Sequence, residues 1–484
     1  MRTKAKTKAK MAHGVGAVLA ICLGIVTAAD AGGRSTSEQI AERLAGAIRF
    51  ETVSFEDSAD IDGDPFRRFS DYLRRLYPLT HATLDLERVN TYTLLFRWQG
   101  SDTSLQPALF MSHLDVVPVE EAALDAWTHP PFSGLIEDGY VWGRGALDVK
   151  LGVILWLEAI ESLLAQGFEP RRTLYLLLGH DEEIGGFEGA AEVARLFRER
   201  GIRPAFLFDE GGFILDGFPL LPDMTVALLV TAEKTYYSVE LTARGVSGHS
   251  SMPPRSTAIG KLARAIHRVE ENPMPARLIA PVREMFEAAS AHVSFGRRFA
   301  FRNLWLMGGT VKRSLLRERV SAPLVRTTFA VTIISGGVKD NVIPELARAT
   351  INVRILPGDT EEEVLAHLAR VIDDPEIEIE GTSWGEASPP TSTAGQAFAL
   401  AAEAVLAVLP DAVVLPGLLS GATDSRHFAG LADEIIRFVP ERLHMDQSSG
   451  AHGRDERIAV EYLADSVAIA VGMVRRAGAV VLAD

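Results

Sequence analysis

His113, Asp148, Glu183, Asp209 and His452 are scattered over most of a 484-residue chain, yet each sits in a short segment that reads as a strand end or turn. Imidazole nitrogen and carboxylate oxygen are donors that zinc accepts. Two histidines with three carboxylates can hold a pair of divalent ions about 3.5–4 Å apart that share one carboxylate and one water. Asp148 is the natural bridge, because Gly-Arg-Gly at 143–145 lets the backbone turn closely before it and a long helix is predicted after it. Glu182, beside Glu183, is left over as a base, so the set describes a water-activating hydrolase. Singly, each residue has a plainer reading: a lone strand-end histidine is usually structural, and Asp148 would pass as the cap of a helix from Val149. Glu182 and Glu183 are harder to dismiss, since neighbouring acids at the end of an apolar strand repel one another unless a cation sits nearby.

The elements that must position these groups alternate along the chain. Residues 91–98, 108–117, 173–179 and 205–209 are apolar runs of strand length, and 149–166 and 189–200 have helical periodicity with charged faces. Such alternation implies an α/β fold, a largely parallel sheet covered by helices on both sides, whose ligands gather beyond the C-terminal strand ends. The middle of the chain differs. Residues 226–242 are rich in β-branched and aromatic side chains, 256–271 form an amphipathic helix, and 327–334 and 347–355 read as further strands. These predict an inserted α+β domain at 241–355 within a first domain made of 32–240 and 356–484, with the alternation resuming from Thr360. Residues 272–323 read as an elaborated helical arm.

Length supports two domains rather than one core, and 47% apolar with 23% charged residues is the composition of a globular protein. The first 31 residues form a separate object: five basic groups from Arg2 to Lys10, an apolar run from Gly14 to Ala29, and Ala-Asp-Ala at 29–31. This pattern reads as a secretory signal peptide, so export to the periplasm or outside the cell is expected, with an uncleaved membrane anchor as the alternative. A lipoprotein signal ending at Cys22 is disfavoured, since Ile21 occupies a position that needs a small residue. Cys22 is the only cysteine, so cleavage would leave a chain without thiols, suited to an oxidising compartment. Cleavage also shifts the formal charge from −15 to about −19, which argues against nucleic acid as a partner and, with the leader gone, against stable membrane insertion.

Four segments carry a resemblance: Met-Ser-His-Leu-Asp-Val-Val-Pro at 111–118, Gly-Arg-Gly-Ala-Leu-Asp-Val-Lys at 143–150, Asp-Glu-Glu-Ile-Gly-Gly at 181–186 and Gly-His-Ser-Ser-Met-Pro-Pro at 248–254. Together they resemble the di-zinc metallopeptidase family of aminoacylases, acetylornithine deacetylases and glutamate carboxypeptidases, in its carboxypeptidase S branch. The resemblance implies a zinc-peptidase-like catalytic domain with an inserted lid and dimerisation domain, hence a homodimer, and two zinc ions, with cobalt or manganese as substitutes. It implies that His113, Asp209 and Asp148 hold one ion and Glu183, His452 and Asp148 the other, with His444 as the fallback for His452. It further implies Glu182 as general base and acid, Asp115 as the group that orients His113, and His249 as the stabiliser of the tetrahedral oxyanion. Asn341 and Arg354 resemble positions that grip a substrate carboxylate, and Gly421, Thr423 and Arg426 resemble a substrate-contacting loop. One departure is Val149, where the family often carries a second acid.

The expected reaction is hydrolysis of an amide whose leaving amine carries a free carboxylate, in short peptides cut at the C-terminal residue or in N-acyl amino acids. A metal-bridged water activated by Glu182 is the attacking group. Some members of the branch also condense fatty acids with amino acids. Two rivals stand beside this reading. A metal-free binding or scaffold protein could use the same fold, though all five ligands and Glu182 are present. A serine hydrolase would need a Gly-x-Ser-x-Gly elbow, and that string occurs once, as Gly-Thr-Ser-Trp-Gly at 381–385.

Overall fold

Leu174–Gly179, Ala108–His113 and Phe206–Asp209 are buried at every residue, the burial that near-continuous apolar strands require when helices cover both faces. In the computed structural model, which describes residues 35–55, 60–383, 385, 388–445, 447 and 450–479, these strands run parallel, with Met111 opposite Leu177 and Phe110 opposite Phe208. They lie within a ten-stranded sheet that begins at Asp85–Val89 and Thr93–Trp98 and continues through the three. Beyond them come Glu434–Arg437, Val226–Glu233, Ile214–Asp216 and Arg442–His444. Val413–Leu419 pairs in parallel with Val226–Glu233. Antiparallel pairs are confined to Asp85–Val89 with Thr93–Trp98, Thr93–Trp98 with Leu174–Gly179, and the contacts Val226–Glu233 makes with Glu434–Arg437 and Ile214–Asp216.

Alternation along the strands builds a core on each face. Phe110, Leu176 and Phe208 join the core that includes Trp156 and Ile160 of the helix Lys150–Ala165. Leu109, Met111, Leu177 and Leu207 join Val193 and Phe197 of the helix Ala190–Glu199 on the other side. Trp156 joins strand to helix. Its ring packs on Phe110 at 4.9 Å between centroids, and its Nε1 donates to the Met111 carbonyl at 3.2 Å. The helix that starts just after Asp148 is thereby fixed to the strand that ends in His113.

The second sheet is antiparallel, in the order Thr328–Gly336, Leu346–Ile355, Thr235–Arg244, Ile377–Ser383. One face is covered by the helices Ala258–Glu271 and Glu361–Ile372 around their own core of Leu262, Val269, Val364, Leu368 and Ile351. Its strands therefore extend from Thr235 to Ser383, beyond the expected 241–355. Two local causes account for the difference. The apolar run at 226–242 is two strands, Val226–Glu233 in the large sheet and Thr235–Arg244 in the small one, parted at buried Lys234, whose Nζ donates to the Arg326 carbonyl at 2.9 Å. The helix from Thr360, begun by a capping box with Glu363, packs on the small sheet rather than resuming the large one. Periodicity marks an element's apolar face but not the surface that will cover it.

The helical arm is real: Ala280–Ala289, Phe295–Arg302 and Leu304–Leu315, with Phe286, Met285 and Phe301 packed in a core that includes Leu415 and Leu418. The leader at 1–31 and Cys22 lie outside the described residues. Among those described, no helix is long and apolar enough to cross a membrane. Because Trp156 fills the junction between strand and helix, Trp156→Ala is expected to cost about 3–5 kcal/mol in urea unfolding. A loss under about 1 kcal/mol would show that the junction repacks freely.

Candidate metal centre

The strand Ala108–His113 delivers an almost fully buried imidazole to its C-terminal end. His113 Nδ1 lies 3.0 Å from the Asp115 carbonyl and 3.2 Å from Asp115 Oδ1, which turns Nε2 toward Asp148 Oδ1 at 3.1 Å and Glu210 Oε1 at 3.5 Å. Asp115 does more than orient that ring. Its carboxylate accepts from the Ser54 hydroxyl at 2.5 Å and from the backbone N–H groups of Glu182 and Glu183 at 3.3 and 3.2 Å. One buried acid thus ties the histidine strand to the glutamate turn. Burial alone would raise Asp115, but the His113 ring and these donors hold it below its ordinary value.

Glu182 and Glu183 occupy a single 3₁₀ turn, Glu182–Ile184, that follows Leu174–Gly179 and closes on Gly185 at φ 111°, a backbone conformation suited to glycine. From the opposite direction comes His452, on the loop before Arg457–Ala459, with φ 59°. Its Nε2 stands 3.0 Å from Asp148 Oδ2 and 3.0 Å from Glu183 Oε2. Glu456 holds this loop against the turn of Asp148: it accepts from Arg144 Nη1 at 2.7 Å, from the Leu147 N–H at 2.7 Å and from the Asp148 N–H at 3.1 Å. Arg144 Nη2 donates in turn to the His452 carbonyl at 3.2 Å. The Asp148–Val149 peptide is cis.

Asp148 therefore presents one oxygen to each histidine, the posture of a carboxylate that bridges two ions. Ligand atoms of His113, Asp148 and Glu183 lie within 4.8 Å of one another, as do those of His113, Glu182 and Glu210. The electrostatics fit cations. Burial and the repulsion of Asp148 push Glu183 up to about 7, burial pushes Glu210 up to about 8, and burial with Glu210 nearby holds Glu182 well above the carboxylate range. Hydrogen bonds to Asp148 and Glu183 push His452 up to about 10. Among the described residues, Glu183 Oε1 and both oxygens of the fully buried Glu441 have no hydrogen-bond partner, and burial, Glu210 and Asp148 raise Glu441 well above its usual value. Carboxylates so crowded and dry would be neutralised by divalent ions better than by protons on His113 and His452.

One expectation changes here. Asp209, the last residue of its strand, turns its Oδ2 to the Ser425 N–H at 2.7 Å, and it is Glu210 that faces His113. Consecutive side chains at a strand end point to opposite faces, so only one of the two acids could enter the cluster. Asp209 instead anchors the loop that carries Thr423 and Arg426. In that loop Thr423 donates from N–H to Glu233 at 2.9 Å, and Arg426 donates to the Thr423 carbonyl at 2.9 Å and the Gly185 carbonyl at 2.6 Å. Gly421 lies at its half-buried start. Arg354, on Leu346–Ile355, stacks over Tyr236 at 4.4 Å and donates to Asn352 at 3.1 Å. Burial pulls its guanidinium down, Arg426 adds to the effect, and Glu182 opposes it.

His249 and Asn341 are elsewhere. They share the exposed ribbon formed by Gly248–His249 and Val342–Ile343, where the Ser250 N–H donates to the Asn341 carbonyl at 3.2 Å and His249 Nδ1 accepts from the Ser251 N–H at 3.1 Å. Neither side chain reaches the carboxylate cluster within this chain. His444 ends the edge strand Arg442–His444 with its ring against Gly217, away from the cluster. Glu210, Glu456, Glu441 and Ser54 were not singled out from sequence. Only Glu210 had a signal, its adjacency to Asp209.

The profile of peptidase family M20/M25/M40 matches residues 109–476. The chain is 41% identical over 429 residues to the probable carboxypeptidase S-like 2 of Dictyostelium discoideum, covering 87% of this chain and 82% of that protein. It is 38% identical over 435 residues to the N-fatty-acyl-amino acid synthase/hydrolase of Mus musculus, covering 88% and 86%. Among solved structures, an M20 family metallo-carboxypeptidase of Sulfolobus solfataricus superposes with a TM-score of 0.65 at 19% identity, over 91% of this chain and 99% of that one. Human carnosine dipeptidase 1 superposes at 0.62 and 16%, over 91% and 96%.

Two substitutions separate the adjacent acids. Glu210→Ala is expected to lower the metal bound per chain in elemental analysis, whereas Asp209→Asn keeps it; the reverse result would return the ligand role to Asp209. Asp115→Asn, which leaves the cluster intact but loosens what holds it, is expected to weaken metal affinity about 10–100-fold in a chelator competition.

Proposed function

Because the chain belongs to peptidase family M20/M25/M40, we propose that its carboxylate cluster is a two-metal centre for hydrolysing amides whose leaving amine bears a free carboxylate. It is an amide hydrolase of the metallo-carboxypeptidase and aminoacylase type. Family membership implies a divalent metal, and the donor set of imidazole and carboxylate suits zinc, with cobalt or manganese as alternatives. The observation that carries the two-metal reading is Asp148, whose Oδ1 faces His113 and Oδ2 faces His452. On this reading His113, Glu210 and Asp148 hold one ion, and Glu183, His452 and Asp148 hold the other. When bound, such a pair supplies Lewis acidity that polarises the scissile carbonyl and acidifies the attacking water.

The remaining work falls to the chain's own groups. Glu182 takes a proton from the attacking water at its carboxylate and returns it to the departing nitrogen. Its high proton affinity, from burial and the nearness of Glu210, suits a group that must carry that proton through the reaction. Asp115 keeps Glu182 in place through the backbone of the turn. Arg354, whose guanidinium interacts with Glu182, is a cation available to a substrate carboxylate, both of whose oxygens a planar guanidinium can pair; Arg426 lies near it on the loop it fastens through Thr423 and Gly185. His249, on its exposed ribbon, stabilises the oxyanion only if the ribbon or a second copy of the chain brings it in. Short peptides and N-acyl amino acids share the leaving group this site would recognise. The names of the relatives support both classes, carboxypeptidase S-like in one and N-fatty-acyl-amino acid hydrolase in the other. Export through the N-terminal leader belongs to the same proposal and rests on the sequence of residues 1–31.

The metal-free scaffold reading has no support from a cluster with its donors intact. Glu182→Gln is expected to lower kcat on N-acyl amino acids and dipeptides by about 10²–10⁴-fold while the metal stays bound; unchanged turnover would remove Glu182 as the base. Chelation is expected to abolish turnover and zinc, cobalt or manganese to restore it. Turnover that survives complete metal removal would overturn the two-metal mechanism.

A further inference from the structure

Residues 288–317 contain six basic side chains, Arg297, Arg298, Arg302, Lys312, Arg313 and Arg317, and no Asp or Glu, in a chain whose formal charge is −15. They form the outer part of the helical arm. Among the described residues, none of these six has a carboxylate within ion-pair distance. The same segment exposes four large apolar groups: Phe295 is 86% exposed, Trp305 84%, Leu306 57% and Phe299 48%. Phe295 and Phe299 are four residues apart on one helix and share its face. The arm is nevertheless well anchored. Phe301, in the same helix, is buried against Phe286 at 4.7 Å, and Lys312 Nζ donates to the Ala276 carbonyl at 2.8 Å.

An anchored element that offers aromatic rings together with guanidinium groups that have no carboxylate partner has a defined complement. The rings gain by leaving water for the boundary of an acyl layer, and the guanidinium groups gain by pairing with phosphodiesters at the same depth. We propose that this arm docks the protein peripherally on an anionic lipid surface, without crossing it. Charge complementarity selects the occupant: the acidic remainder of the molecule is repelled by such a surface, so the basic arm alone would face it and set the orientation. The inference does not depend on the activity proposed above.

The test is hydrogen–deuterium exchange on the full chain with vesicles of phosphatidylcholine alone or mixed with phosphatidylglycerol. The leader is itself basic and apolar, so the readout is protection of 288–317 rather than binding of the whole chain. Mixed vesicles are expected to slow exchange across 295–306, and neutral vesicles or high salt to leave it fast. Replacing Arg297 and Arg317 by Gln is expected to weaken partitioning of the arm by about fivefold per arginine. Trp305→Ser should weaken it further, with near-UV circular dichroism confirming that both variants stay folded. Unchanged exchange with mixed vesicles overturns the proposal. So does protection that appears without lipid as protein concentration rises, which would make this face a contact between copies of the chain.

Discussion

Acids packed out of water cannot all remain ionised unless positive charge is placed among them, and this chain packs Asp148, Glu182, Glu183, Glu210 and Glu441 around two imidazoles. Everything near the cluster can be read as the cost of that decision. Burial raises each of the five, and only at Asp148 do His113 and His452 outweigh it and hold the carboxylate below its ordinary value. The fold must therefore hold mutually repelling groups in place by means other than their attraction to one another.

It does so by attaching each to rigid backbone. His113 and Glu210 leave the ends of neighbouring parallel strands, the glutamate turn ends a third, and Asp148 starts a helix locked to the sheet by Trp156. Two further acids act as ties rather than members. Asp115 fastens the glutamate turn to the histidine strand, and Glu456 fastens the His452 loop to the turn of Asp148. Parallel strands make this economical, since their carboxyl ends lie on one edge and the side chains beyond them converge without long loops. A helix on each face then keeps the strands from shifting, and with them the distances on which shared ions would depend.

The arm at 288–317 and the carboxylate cluster illustrate opposite uses of charge. The cluster concentrates negative groups where water is excluded, which gives cations a high-energy site to neutralise. The arm spreads positive groups where water is abundant, so its guanidinium groups stay exposed and need no carboxylate partner. Both depart from the composition of the whole chain, and such local departures carry more information about function than the average does.

What the residues determined by themselves was the inventory and its broad placement. Apolar runs marked three of the four strands 93–98, 108–113, 174–179 and 206–209 to within two residues and overran the end of 108–113 by four, helical periodicity at 149–166 and 189–200 marked the helices at 150–165 and 190–199, and the segments around His113, Asp148 and Glu183 could be recognised one by one. Those three lie together with His452 in the structure, the three because each adjoins an element whose own pattern was strong, and His452 because Arg144 and Glu456 hold its loop. Tertiary structure decided what pattern could not. Asp209 and Glu210 are adjacent and chemically alike, and only the direction of the strand end assigns one to Ser425 and the other to His113. Thr235–Arg244 and Glu361–Ile372 belong to the small sheet because of which surfaces remained to be covered. Glu456 and Asp115 became ties only when residues more than 300 positions apart in one case, and about 70 in the other, came within hydrogen-bond reach. Periodicity is a local property of the backbone, whereas partnership is a property of the packed whole, and that is why the first could be read in advance and the second could not.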